Sequence, residues 1–277
     1  MHIFRSVFKR AFNLICGGVK GNIFFLHVPK CGGVSISRAI GCCYYTLNIR
    51  NDYNLVASLD PVASAKAINF VNQKEFPYDT SDDYPILKFR ENLLLYYMSQ
   101  NNKKYIYGHF SFSEIAYRNF SNKYVFVTVL RNPIKRWISL YFFNRYKKQD
   151  HCKMEDDITV YLESKFGQAQ GYEYVKFLGG LDNEGDYTSK NAINRAKNNI
   201  DKFDIVGFIE YEENFLNQFK KRFAVKLNIE KKNQSPAPES LRNSIITEEI
   251  EEKIREICRP DLEVYQYAIE KFAKINQ

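Results

Sequence analysis

Lys30, Gly32, Gly33 and Ser35 fall together in HVPKCGGVSI, after the apolar run 22–28 and before a helical pattern over Val34–Ile40. Glycines admit the tight turn in which successive backbone N–H groups ring an anion, and the N-terminus of a following helix adds a positive dipole. Ser35 adds a hydroxyl donor and Lys30 a full positive charge. The chemistry served is phosphate binding. The lysine stands before the glycines, so the loop departs from GxxxxGK[ST]. A glycine pair after a strand is also an ordinary turn, and the loop alone leaves the two readings level. A second group lies in VTVLRNPIKRWISLYFF (127–143). Arg131 ends the apolar run, and Ser139 lies two turns into the helix that follows. Helical side chains lean toward the N-terminus, which lets Ser139 and a long arginine converge on one anion. The planar guanidinium suits two phosphate oxygens at once. Arg136, in mid-helix, reads as structural.

The elements that must hold these groups are legible in outline. Residues 22–28, 104–110, 123–130 and 203–210 read as buried strands. Pro133 suits the first turn of a helix, and Ile134, Trp137, Ile138 and Tyr141 share one face of it. Glu212–Phe223 reads as a helix, as do the segments around 156–180 and 188–200. Two C-terminal helices, about 247–258 and 261–273, are expected on either side of Pro260. Strands alternating with helices imply an α/β fold, with a mostly parallel central sheet flanked by helices. Ligands in such sheets lie beyond the carboxyl ends of the strands, where the loops 29–35 and 131–133 fall.

With 45% hydrophobic and 26% charged residues, the 277-residue chain suits a globular domain with a substantial core. An amphipathic segment over residues 1–20 and one domain over 21–277 are expected. Segment 3–15 has apolar residues at helical spacing with basic residues between; it reads as a helix packed on the domain or lying on an anionic membrane surface. The N-terminal run is too short and polar for a signal peptide, and no run of about 18 apolar residues is present. Cytoplasmic placement is the expectation, with peripheral membrane contact only in the second reading of segment 3–15. The six cysteines form no CxxC pair and read as reduced thiols, and the four scattered histidines suggest no metal site. Residues 1–150 hold 21 Lys+Arg against 9 Asp+Glu, whereas 151–277 hold 19 against 23. The basic half suggests an anionic ligand or a solvated lysine-rich surface.

The pair HVPKCGGVSI and VLRNPIKRWISLYFF resembles the nucleotide-binding signatures of sulfotransferases. The likeness is to the carbohydrate group that includes heparan sulfate 2-O-sulfotransferase and its bacterial relatives. YIYGHF, YVKFLGG, IVGFIEYEENF, NQSPAP and DLEVYQYA follow in the order seen in such enzymes. The resemblance implies a P-loop-like sulfotransferase fold. It also implies the donor 3′-phosphoadenosine 5′-phosphosulfate (PAPS), a hydroxyl acceptor on a glycan, and no metal. Pro29, Lys30, Cys31, Gly32, Gly33, Val34 and Ser35 would hold the 5′-phosphosulfate, with Lys30 at the leaving oxygen. Arg131 and Ser139 would clamp the 3′-phosphate. Cys31 and Val34 stand where the group often has threonines, and Val34 removes a hydroxyl ligand.

His109 is the candidate base for the acceptor hydroxyl, with Glu114 the alternative. His27 reads as packing. Lys231 and Lys232 belong to a polar loop that would close over the nucleotide or serve as a plain linker. Two other classes keep a place. A kinase-like phosphotransferase calls for a lysine after the glycines and an acidic magnesium ligand, neither of which is found. A nucleic-acid-binding module would use the basic half, but the resemblance leaves no role for nucleic acid.

Overall fold

The computed structural model describes residues 18–44, 54–73, 84–148, 152–181, 185–230 and 236–273. Segment 3–15 and the two lysines Lys231 and Lys232 lie outside them.

Five strands form one sheet: β1 Asn22–Leu26, β2 Val56–Ser58, β3 Tyr105–Gly108, β4 Tyr124–Leu130 and β5 Ile205–Phe208. Their order is β2-β3-β1-β4-β5, and every pairing is parallel. All five residues of β1 and all seven of β4 are buried, as strands covered on both faces require. The alternation of side chains divides them between two cores. Phe24, Leu26, Phe126 and Phe208 pack on one face with Tyr174, Phe177, Ile193 and Val264. Ile23, Phe25, Val125 and Val127 pack on the other with Ile36, Ile40, Phe215 and Phe219. This is the helix-flanked parallel sheet expected from the sequence, and it is consistent with a sulfotransferase-like P-loop fold. Among the described residues no helix is long and apolar enough to cross a membrane.

Pro133 opens the helix Pro133–Tyr146 as expected, and the helix Glu212–Phe223 has the bounds read from sequence. Asn132 caps the first, its side-chain oxygen accepting from the Lys135 N–H at 3.2 Å. Three expectations need correction. The sheet has a fifth strand, β2, of only three residues, too short to show a period. The segment 156–180 is broken into Ile158–Glu163, Lys165–Ala169, a 3₁₀ turn and Glu173–Gly179. Ser164 starts the second piece by accepting from Gly167 N–H at 3.0 Å, and at Gly171 a Cβ would stand 2.0 Å from the Ile257 carbonyl oxygen. Pro260 does not divide the last helices; it lies in the first turn of Arg259–Ala268, where its missing N–H costs nothing.

One buried clasp holds the site side of the sheet together. Arg136 is fully buried, as a structural role requires. Its guanidinium donates to the Gln170 backbone carbonyl and to Gln170 Oε1 at 3.4 Å, and approaches Asp261 Oδ2 at 3.9 Å. Asp261 Oδ1 accepts the Tyr174 and Val175 N–H groups at 2.8 and 3.1 Å. Three helices are joined in this way, Pro133–Tyr146, Glu173–Gly179 and Arg259–Ala268. Removing one member of a buried ion pair leaves the other charge uncompensated. Asp261→Ala is therefore expected to lower the unfolding free energy by about 3–5 kcal/mol. Chemical denaturation measures this, and a loss below about 1 kcal/mol would contradict the clasp.

Candidate functional site

The three central strands β3, β1 and β4 deliver the chemistry-bearing residues at their carboxyl ends. Past the last paired residues of β1 and β3, the His27 N–H donates to the Gly108 carbonyl at 3.0 Å. The next residue, His109, returns the contact: its Nδ1 lies 2.7 Å from the His27 carbonyl oxygen. A carbonyl only accepts, which assigns the proton to Nδ1 and leaves the Nε2 lone pair free to take one. The His109 ring packs at 4.5 Å from the His27 ring and at 6.3 Å, edge to face, from Phe177. Burial pushes the His109 pKa below its ordinary value and Arg90 adds to this, while the His27 carbonyl and Glu173 oppose it. The imidazole is thus held in its neutral, basic form.

The loop after β1 is shaped by close approach. Lys30 has φ +65° and Gly32 has φ +69°, both in the left-handed region. Gly32 is the N-cap of the helix Gly33–Cys42 and brings no side chain to its orphan N–H groups. The Ser35 and Ile36 N–H groups turn to the Gly32 carbonyl at 3.1 and 3.3 Å. Those of Gly33 and Val34 have no partner among the described residues, which is the geometry of an anion cradle. At Gly33 a Cβ would stand 1.9 Å from His27 Cδ2 and Nε2, so only glycine lets the loop cross that ring. The Val34 side chain is exposed. The Cys31 thiol is fully buried and faces the Tyr174 hydroxyl at 3.3 Å, and burial lifts its pKa to about 11.

Arg131 follows β4. Its guanidinium donates to the Lys30 carbonyl at 3.3 Å, which joins the two loops. The Arg131 N–H donates to the Tyr174 hydroxyl at 2.8 Å, and that hydroxyl donates to the Arg131 carbonyl. The next N–H, of Asn132, donates to Glu210 Oε1 at 3.0 Å, and Tyr265 donates to Glu210 Oε2 at 3.0 Å. Ser139 is half-buried on the following helix, and its hydroxyl has no hydrogen bond among the described residues.

The charges are unbalanced. The Lys30 ammonium lies 3.7 Å from the Phe143 ring centroid, and that of Lys147 lies 5.3 Å from the same centroid. Burial, then Arg131, then Lys147 lower the Lys30 pKa to about 8. A cluster of cations that repel one another is stabilised by an anionic ligand. Glu114 belongs elsewhere: its carboxylate is paired with Lys202 at 2.5 Å and Arg118 at 2.8 Å, which holds its pKa low. Both of its oxygens are engaged. Among the described residues no three of His, Cys, Asp or Glu gather as a metal site would require.

The structure thus brings together Lys30, the loop amides, Arg131 and His109, and puts Ser139 on the same helix as Phe143. Sequence reasoning missed Tyr174, Glu210 and Lys147. Tyr174 and Glu210 stand inside YVKFLGG and IVGFIEYEENF, and nothing local marks them as partners of a distant loop.

No protein-family profile matches the chain. The chain is similar to heparan sulfate 2-O-sulfotransferase 1 of Mus musculus, 27% identical over 124 residues. The match covers 40% of this chain and 35% of the relative's length. The finding is a distant sulfotransferase relationship.

The depressed Lys30 pKa sets a pH dependence. Anion binding favours the protonated amine, so above the free-state pKa a ligand must take up a proton as it binds. Affinity for an anionic probe, for which 3′-phosphoadenosine 5′-phosphate (PAP) serves, is expected to hold up to about pH 8 and then to fall, by up to roughly tenfold per unit. Lys30→Arg, which stays charged, should flatten the curve. Titration calorimetry between pH 7 and 9.5 measures it, and a flat wild-type profile would contradict the assignment.

Proposed function

We propose that this chain is a sulfotransferase that takes PAPS as donor and transfers its sulfuryl group to a hydroxyl of a carbohydrate acceptor. One observation carries the reading. Three adjacent strands end in a neutral histidine with a free ring nitrogen, a lysine-bearing loop of open amides, and an arginine joined to that loop. The distant relationship to a glycan sulfotransferase supports the same class.

In this reading the Gly33 and Val34 amides and the Ser35 hydroxyl hold the 5′-phosphosulfate. Arg131 and Ser139 hold the 3′-phosphate. The acceptor oxygen attacks sulfur in line with the bridging oxygen. An O–S bond forms as the S–O bond to phosphate breaks, and the electron pair leaves on PAP. Lys30 opposes the charge growing on that oxygen. The acceptor proton passes to His109 Nε2, which the Nδ1–H bond to the His27 carbonyl keeps available. Val34 offers only its amide, and the donor is held by fewer hydroxyls than a threonine there would provide.

Thermal unfolding with PAP, AMP and magnesium-ATP tests the donor. At about 100 times its dissociation constant a ligand adds roughly 2.7 kcal/mol of stability. PAP is expected to stabilise the wild type most, and Arg131→Ala to lose that gain. Stabilisation by magnesium-ATP alone would move the protein to the phosphotransferases. Transfer of labelled sulfate from PAPS to a glycan tests the base. His109→Gln is expected to slow transfer by about 10²–10⁴-fold while PAP still binds. The wild-type rate should fall only below the ordinary histidine pKa of about 6.5 on the acid side, and transfer undiminished in His109→Gln would remove the histidine from the mechanism.

A further inference from the structure

Tyr174 lies on the helix Glu173–Gly179, fully buried, and its hydroxyl stands between the two anion loops. A tyrosine hydroxyl has one hydrogen and two acceptor sites. The hydrogen goes to the Arg131 carbonyl. One acceptor site takes the Arg131 N–H at 2.8 Å. The other faces the Cys31 thiol at 3.3 Å; the single S–H can reach this oxygen or the Pro29 carbonyl at 3.7 Å, and the hydroxyl is the nearer acceptor. Every hydrogen-bonding valence of this oxygen is therefore spent on one loop or the other. Cys31 immediately precedes Gly32, the N-cap behind which the Gly33 and Val34 amides form the first cradle, and Arg131 carries the guanidinium of the second. The tyrosine itself is fixed: its N–H is held by Asp261 at 2.8 Å, and its ring lies 5.8 Å from the Arg136 guanidinium carbon. Glu210 holds the neighbouring Asn132 N–H from the β5 side at 3.0 Å, so the Arg131 turn is gripped at two successive amides.

We propose that the Tyr174 hydroxyl is a positioning residue that fixes the spacing of the two anion loops and so makes the donor site selective for nucleotides carrying two separated phosphates. The inference rests on the donor reading above. A ligand with both phosphates gains from two cradles held at one distance, because no ordering is left to be done on binding. A ligand with one phosphate uses a single cradle and is indifferent to their spacing. The pinning depends on a neutral, buried hydroxyl meeting a buried thiol.

The test is Tyr174→Phe, which keeps the ring, its packing and the backbone bonds to Asp261. Titration calorimetry with PAP and with AMP gives the result. PAP affinity is expected to fall about tenfold, the size of one lost buried hydrogen-bond network member, with AMP affinity unchanged within about twofold. Cys31→Ser keeps a donor toward Tyr174 and should bind PAP nearly as the wild type does. Cys31→Ala should weaken PAP, and the Cys31→Ala/Tyr174→Phe pair should weaken it by less than the product of the two single effects. Equal loss of PAP and AMP in Tyr174→Phe would mean general damage and would overturn the pin, as would unchanged PAP affinity. If the wild type binds no PAP, the donor reading itself falls, and the pin with it.

Discussion

Leu26 pairs with Gly108 on one side and with Thr128 on the other, so β1 has no free edge. Parallel pairing across both edges forces the loops after β3, β1 and β4 to emerge side by side at one end of the sheet. The same pairing carries one step further into the site, through His27 N–H to Gly108 and His109 Nδ1 to the His27 carbonyl. Sheet register thus sets the tautomer of the histidine. Thr128 shows how strictly the interior is kept: it is fully buried, and its hydroxyl is satisfied by the Leu26 carbonyl at 3.0 Å.

Beyond the strand ends, the architecture accepts local costs. Lys30 takes a left-handed backbone conformation that a side chain rarely adopts, at of order 1–3 kcal/mol for such strain. Its ammonium is largely desolvated and placed near two other cations. The Gly33 and Val34 amides are left open. An anion would offset the repulsion between the cations and give the open amides a partner. Support comes from buried groups behind the loops. Asp261 and Arg136 fix Tyr174, and Glu210 fixes Asn132. Burial holds the His109 pKa down, and the His27 and Phe177 rings pack against its ring.

What the sequence revealed follows from range. The strand β4, the proline-initiated helix Pro133–Tyr146 and the glycine turn after β1 are each written in a few consecutive residues. Their identity and the parallel sheet could be read directly. Strand β2 has three residues and depends on β3 for its existence. The breaks within 156–180 are set by close approaches such as that of Gly171 to Ile257. The same limit applies at the site. Cys31 and Tyr174 are 143 residues apart and Asn132 and Glu210 are 78 apart, so neither contact has a local signature. The direction of the Cys31 side chain is likewise set at long range, its buried thiol facing the Tyr174 hydroxyl.

A crystal structure of the protein with PAP tests the central claim most directly. The expected result is the 5′-phosphate on the Gly33 and Val34 amides within reach of Lys30, and the 3′-phosphate on the Arg131 guanidinium, with His109 Nε2 facing the acceptor side. A nucleotide bound away from the carboxyl ends of β1 and β4, or one whose 3′-phosphate makes no contact with Arg131, would contradict it.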